Sequence, residues 1–176
     1  MKIKKIINTI VVIIIIGAIC FLGYMYILST KILSDKSGYF EVTTPMNYKF
    51  AENMAREQSG HDFAVYDKGS EIYMWGNSYQ LNEQDIKEYI EQNKTKVMGE
   101  RSGYEVSEIK QYELNGYGAW EYTLVYKDNN NIEYYMREIW IKAEKGIYNI
   151  EIECPKEKFQ KNVKGIEKIV NSFRER

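Results

Sequence analysis

Four sets of side chains in this 176-residue chain have the types that chemistry uses. His61, the one histidine, stands beside Asp62 with Asp67 nearby. A metal ion needs several ligands converging, and one imidazole with loop carboxylates is a thin set, so the expectation is a solvated loop and no metal. Cys154 could serve as a nucleophile or redox thiol if a base or an electropositive setting activated it. Its position at the end of an alternating apolar run, before Pro155, is instead that of a small buried residue. Glu151 and Glu153 lie about 7 Å apart along an extended strand at ~3.4 Å per residue. Such spacing occurs in glycosidases. It also occurs on solvent faces, where Glu138 and Lys142 across a hairpin would neutralise the pair.

The fourth set is aromatic: 16 Tyr, 6 Phe and 3 Trp. Trp120, Tyr122 and Tyr126 share one face of an extended segment with Leu124, and Tyr134, Met136 and Trp140 share one face of the next. Two readings of this surplus follow. It is a platform for sugar rings, a peptide or a partner protein, or it is core beneath a covering helix. On the first reading the candidate binding residues are Trp75, Trp120, Tyr122, Tyr134 and Trp140. No residue is expected to be catalytic, and no cofactor is implied.

These residues need elements to position them, and the chain supplies two kinds. From Ile6 to Thr30 there is no charged residue, and Val11–Ile19 is nearly all aliphatic. A helix over Ile6–Leu28 would be about 34 Å long at ~1.5 Å per residue, enough for a ~30 Å hydrocarbon core with some tilt. Tyr24 and Tyr26 suit the aromatic belt at a membrane interface. Lys2, Lys4 and Lys5 before the span, against Lys31 directly after it, predict a cytoplasmic N-terminus and an extracytoplasmic domain. A cleaved signal peptide would have a shorter apolar stretch and a small-x-small site, and the best candidate, near Ser29, is poor. A lipoprotein would need a small residue before its cysteine, whereas Ile19 precedes Cys20. The expectation is therefore residues 1–5 in the cytoplasm, a single-pass anchor over 6–28, a linker over 29–37 and a domain over 38–176.

Strand signals then take over. Tyr39–Thr43, Phe63–Tyr66 and Glu71–Trp75 are rich in β-branched and aromatic residues, with Pro45 and Asp67-Lys68-Gly69 as stops. A helix is expected over Glu83–Met98, capped by Asn82 and closed by Gly99, with Ile86, Tyr89, Ile90 and Val97 as its apolar stripe. A four-strand meander follows: Tyr104–Leu114, Tyr117–Tyr126, Ile132–Ala143 and Ile147–Cys154. Its connections are Asn115-Gly116, Asp128–Asn131 and Glu144–Gly146. In the last strand Tyr148, Ile150, Ile152 and Cys154 alternate with Asn149, Glu151 and Glu153, the pattern of a half-buried antiparallel strand. A final helix starts with Pro155 at its first position. It carries Phe159, Val163, Ile166, Val170 and Phe173 on one seam.

Charge and cysteine usage narrow the function classes. The first thirty residues hold three lysines and no acid, which leaves 21 basic against 25 acidic side chains in the rest, a net charge of −4. Nucleic-acid binding needs a basic patch and is excluded. Cys20 and Cys154 fall on opposite sides of the proposed interface, so no disulfide staples a domain that is long enough to bury a core without one. The lean toward Ile, Lys, Asn, Glu and Tyr is the skew of an AT-rich genome, as in a low-GC bacterium.

The order β-β-β-α-β-β-β-β-α resembles the Mog1/PsbP-like family, in particular its membrane-tethered bacterial members of unknown function. The residues that carry the resemblance are Tyr39–Pro45 followed by Tyr48, similar to the family's opening strand and P-x-x-W turn. Gly146–Ile150, Cys154-Pro155, Phe159 and Asn171-Ser172-Phe173 are similar to its last strand and to a final helix ending in a Ser-Phe pair. Tyr48 stands where tryptophan is commoner. The resemblance covers about residues 38–175 and implies an α+β fold, a central antiparallel sheet flanked by helices in an αβα sandwich. Members of this fold act as binding or assembly proteins: photosystem subunits, a small-GTPase partner, envelope lipoproteins. No catalytic residues transfer, since fold does not give function. The expected function is a non-enzymatic, membrane-tethered, extracytoplasmic module that docks a protein partner in a bacterial envelope. The alternatives are a domain binding a glycan or small amphiphile and, behind both, an envelope hydrolase.

Overall fold

The computed structural model describes residues 2–35, 37–50, 61–79 and 86–176, with side chains described at 11–25 and from Ser29 onward within those ranges. Three helices are described: α1 (Lys2–Ser29), α2 (Ile86–Glu100) and α3 (Lys156–Val170). The strands are β1 (Thr30–Ser34), β2 (Phe40–Pro45), β3 (Lys49–Phe50), β4 (Phe63–Asp67), β5 (Ile72–Tyr79), β6 (Glu105–Val106), β7 (Lys110–Leu114), β8 (Tyr117–Lys127), β9 (Glu133–Lys142), β10 (Ile147–Pro155) and β11 (Arg174–Glu175).

A helix forms where the anchor is expected, 28 residues long. Among the described residues no helix is long and apolar enough to cross a membrane. Over the expected span Ile6–Leu28 the structure establishes a helix, Lys2–Ser29. The expected linker over 29–37 changes character, because Thr30–Ser34 is a strand in antiparallel register with β2, from Thr30↔Pro45 to Ser34↔Glu41. Leu33 is buried at its centre. The hairpin is closed by Asp35, whose carboxylate accepts the Phe40 N–H at 2.9 Å and the Ser37 N–H at 3.1 Å, with Gly38 at φ 73°.

Every pairing among the described strands is antiparallel. A small sheet has the order β1-β2-β11. The main sheet has the order β3-β4-β5-β10-β9-β8-β6, with β7 also on β8. The meander is built on its expected turns. Asn115 (φ 55°) and Gly116 (φ 86°) both take the left-handed conformation that a two-residue hairpin demands. The Asp128 carboxylate caps its own loop by accepting the N–H groups of Asn130 and Ile132. The single strand expected over Tyr104–Leu114 is broken. Between Val106↔Leu124 and Lys110↔Glu121 one side has an extra residue, a bulge fixed by Ser107, whose hydroxyl accepts the Thr123 N–H.

The main sheet buries both faces. One face meets the small sheet and α3 in a core with Phe40, Phe63, Tyr148 and Phe173 at its centre, ring centroids of Phe40 lying 5.5–5.7 Å from the other three. Cys154 is fully buried there, and burial pushes its thiol up to about 12, as a core residue and not a nucleophile. The other face is covered by α2, whose Ile86 and Ile90 pack on Leu124, Met136 and Trp140. The half-buried reading of β10 is thereby corrected, since Asn149 and Glu153 are buried as well as Ile150 and Ile152.

Three boundaries differ from expectation for local reasons. Pro155 is the cap residue before α3 and the last residue of β10, with ψ 134°, not the first helical residue. Phe173 lies beyond the helix, which ends at Val170, and Ile169 takes the buried place expected of Val163. Gly99 does not close α2. Ser102 takes the left-handed position (φ 49°), with Gly103 N–H on Met98 O (2.9 Å) and Ser102 N–H on Gly99 O (3.3 Å), a Schellman end. The expected start of that helix at Asn82, Glu83 and Asp85 lies outside the described residues.

Gly76 in β5 is held small by the core. A Cβ there would lie 2.9 Å from the Phe40 ring and 3.1 Å from the Asn149 carbonyl oxygen. The ring is wedged among three other aromatics, so Gly76→Ala is expected to cost about 1–3 kcal/mol by overpacking. A urea unfolding midpoint equal to that of the parent would show that Phe40 re-packs freely.

A candidate binding cleft beside a buried carboxyl cluster

The face of the main sheet under α2 carries an unusual polar row. Antiparallel register sets Glu138 of β9 directly opposite Glu151 of β10, and Glu153 follows one pleat along the same face. Glu138 is 2% exposed. Its Oε1 accepts the amides of Asn93 (2.7 Å) and Asn149 (3.0 Å), while Oε2 has no hydrogen-bond partner. Asn93, a polar residue within the apolar stripe of α2, also donates to the Tyr122 hydroxyl at 3.2 Å. Burial raises the pKa of Glu138, against these hydrogen bonds. Burial, then repulsion from Glu138 and Glu153, raises that of Glu151.

The Schellman end of α2 turns Arg101 toward this row. Its Nη2 lies 2.9 Å from Glu153 Oε2 and 3.7 Å from Glu151 Oε1, and its guanidinium carbon sits 5.3 Å from the Tyr126 ring centroid. Glu153 is 7% exposed and its Oε1 accepts the Tyr126 hydroxyl at 2.5 Å. The contact of Oε2 with Arg101 is close, yet it is not aligned as a hydrogen bond, so this oxygen is held by charge alone.

Beside Arg101 opens a cleft of about 480 Å³, within the size range of sites for small ligands. Its walls are Tyr73 and Trp75 of β5 on one side and Tyr126 and Tyr134 of β8 and β9 on the other, with Glu153 and Arg101 between. The rings stack on one another. Tyr66–Tyr73 centroids are 4.3 Å apart at 22°, Tyr73–Trp75 5.5 Å at 7°, and Tyr126–Tyr134 5.5 Å at 19°. Burial pushes the Tyr73 phenol up to about 12 and raises those of Tyr126 and Tyr134, which keeps all three as neutral hydrogen-bond donors.

Of the five aromatic candidates, the structure brings Trp75 and Tyr134 together in this cleft. Tyr122 and Trp140, each 1% exposed, are core beneath α2, and Trp120 packs half-buried on the same cluster. Their place on an exposed platform is corrected, because α2 covers that face. His61 pairs its Nδ1 with the Asn77 amide at 2.9 Å and lies by Trp75. No group of metal-ligating side chains occurs among the described residues. Lys142 sits opposite Ile147 and not opposite the glutamates it was expected to neutralise. Arg101 and Tyr73 escape sequence reasoning as site residues, and Tyr126 stands in the aromatic surplus without being singled out as a binding residue. The buried carboxyl behind the cleft does have a signal, Asn93, whose amide inside an apolar stripe needs a buried partner and finds Glu138.

No family model matches the chain, and no curated protein does. Solved structures do. Cyanobacterial PsbP (CyanoP) from Synechocystis sp. PCC 6803 superposes with a TM-score of 0.62 at 13% identity, over 84% of this chain and 93% of that one. LpqN of Mycobacterium tuberculosis, described as involved in cell envelope biogenesis, gives 0.54 at 9% identity, over 83% and 90%. A protein of Bacteroides thetaiotaomicron VPI-5482 gives 0.59 at 11% identity, over 84% of this chain and 49% of that one, so this chain spans about half of its length. The chain has the Mog1/PsbP-like fold, α+β with a mostly antiparallel sheet and three described helices.

Proposed function

We propose that this chain is a non-enzymatic accessory or binding module, tethered in a bacterial envelope membrane by α1, with its N-terminus cytoplasmic and its domain extracytoplasmic. Its role is to dock a protein partner at the cleft. The observation that carries this reading is the cleft itself: aromatic walls from three strands, a charged pair between them, and an open mouth. The uncharged stretch 6–28 behind three lysines supports the tether. A neighbour of the same fold described as involved in cell envelope biogenesis supports the setting. The carboxyls suit binding better than hydrolysis, because Glu153 is tied to Tyr126 and Arg101 while Glu138 is sealed beneath α2. A glycan stacks on open ring faces. Here the ring faces lie largely against one another, which favours an inserted side chain over a sugar ring.

The test is photo-crosslinking in cells that make the full-length protein, from a probe replacing Lys127 at the rim of the cleft. A discrete protein adduct that disappears with Trp75→Ala and Tyr134→Ala is expected. An adduct that persists in both variants, or none at all, would remove the cleft as the docking site.

A further inference from the structure

We propose that the cleft is a seat for a cationic side chain, the guanidinium or ammonium of a partner polypeptide, and that Arg101 occupies this seat until the partner arrives. The inference rests on the cleft being a docking site and names the chemistry it reads.

Three observations converge on it. Glu153 is more than nine-tenths buried and lines the cleft, and its Oε2 lacks a hydrogen bond although a guanidinium lies 2.9 Å away. A better aligned N–H donor would satisfy this oxygen where Arg101 does not. Next, the chain's own Arg101 shows that a guanidinium fits: it lies over the Tyr126 ring and between the two glutamates, with its side chain still 40% exposed and able to swing outward. Last, the lining holds three carboxylates, Glu100, Asp128 and Glu153, against two cations, Arg101 and Lys127. Glu151 and Glu138 lie behind them.

Charge conservation selects the ligand. If a neutral or anionic group displaced Arg101, Glu153 would be left buried and uncompensated, which is strongly unfavourable. An anion that entered without displacing Arg101 would face the acidic lining. Replacing one cation by another leaves the buried charge balanced throughout. Arg101 then acts as a tethered competitor, at the high effective concentration that a short chain segment gives it. Specificity follows as well, since a partner must outcompete a resident guanidinium and weakly cationic passers-by do not.

The experiment titrates the full-length protein in nanodiscs of neutral phosphatidylcholine with end-blocked Gly-Arg-Gly, Gly-Glu-Gly and Gly-Gly-Gly peptides. Binding is followed by tryptophan fluorescence and assigned to the cleft with Trp75→Phe. Arg101→Gln is expected to tighten Gly-Arg-Gly about tenfold, the size of one removed cation–π competitor. Arg101→Lys should leave affinity near the parent's, and Glu153→Gln should abolish binding. Melting curves of each variant establish that it is folded. Binding of Gly-Glu-Gly that is lost in Arg101→Gln would overturn the proposal while leaving the cleft a docking site. No response to Gly-Arg-Gly in either the parent or Arg101→Gln would overturn it too, and the crosslinking above decides separately whether the cleft docks a partner.

Discussion

Phe173→Ala is expected to destabilise the domain by about 3–5 kcal/mol, lowering the melting temperature by on the order of 10 °C or more. Phe173 is fully buried and sits past the end of α3, where the chain turns into β11. Its ring packs on Phe40 (5.7 Å), Tyr148 (5.5 Å) and Tyr117 (5.9 Å), so it joins β2, β10 and β8 at one point. The backbone around it is fixed independently: Phe173 N–H donates to Val170 O, and the Asn115 amide donates to the Phe173 carbonyl at 3.0 Å. The cavity left by truncation cannot easily collapse, which places the loss at the upper end of large-to-small changes. Thermal and urea unfolding of the variant measure this directly. A melting temperature within about 2 °C of the parent would mean that the small sheet and main sheet do not share a core at this residue.

The second large effect is on the pH dependence of stability. Glu138 and Glu151 face each other across β9 and β10, and burial first, with mutual repulsion for Glu151, raises both above the usual carboxylate range. The charged or titratable groups around them are Glu153 and Arg101 at one end and the neutral phenols of Tyr122, Tyr126 and Tyr79. A folded state that holds protons more tightly than the unfolded chain loses stability as pH rises. The contribution is fully present below the ordinary glutamate pKa and disappears as pH climbs through the raised values of the folded state. Each unit of upward shift is worth ~1.4 kcal/mol. The melting temperature is therefore expected to fall by several degrees between the ordinary glutamate pKa, 4.5, and the raised values of about 7 for Glu138 and about 8 for Glu151, and to level off above them. Glu138→Gln keeps an oxygen for the Asn93 and Asn149 amides and cannot ionise. Its profile should be flatter, and above neutrality the variant should be the more stable protein. Superimposable parent and variant profiles would mean that Glu138 stays paired or solvated as an anion.

Sheet, meander and helices were legible because each rests on a local signal. Asn115-Gly116 can hardly be anything but a tight hairpin, and the alternation from Tyr148 to Cys154 fixes which side chains meet α3. What was not legible has little sequence signal of its own. β11 is Arg174–Glu175, two charged residues that become a strand through pairing with Glu41 and Phe40. β1 lies directly behind a long apolar run, and its one buried residue, Leu33, gives no periodicity to read. The polar face of β10 misled for a physical reason. Asn149, Glu151 and Glu153 are the residue types of a solvated face, and they are tolerated beneath α2 because Glu138 meets Asn149 there, Tyr126 meets Glu153, and Arg101 meets both Glu151 and Glu153. Those partners come from other parts of the chain. The cleft was half visible for the same reason: Trp75 and Tyr134 stood out as aromatics, whereas Arg101 had no local feature to separate it from any other surface arginine.

β2 lies between β1, which follows α1, and β11, with antiparallel pairing on both sides. β1 and β11 consequently point the same way, and a pull that drew the start of β1 and the end of β11 apart would slide each along β2. Both ladders would then be loaded in shear, their hydrogen bonds strained together and not opened one at a time as in a zipper. Five register pairs resist on the β1 side and two on the other. Under tension the short β11 ladder would be first to slip, exposing Phe173 behind it, while the strand next to α1 held.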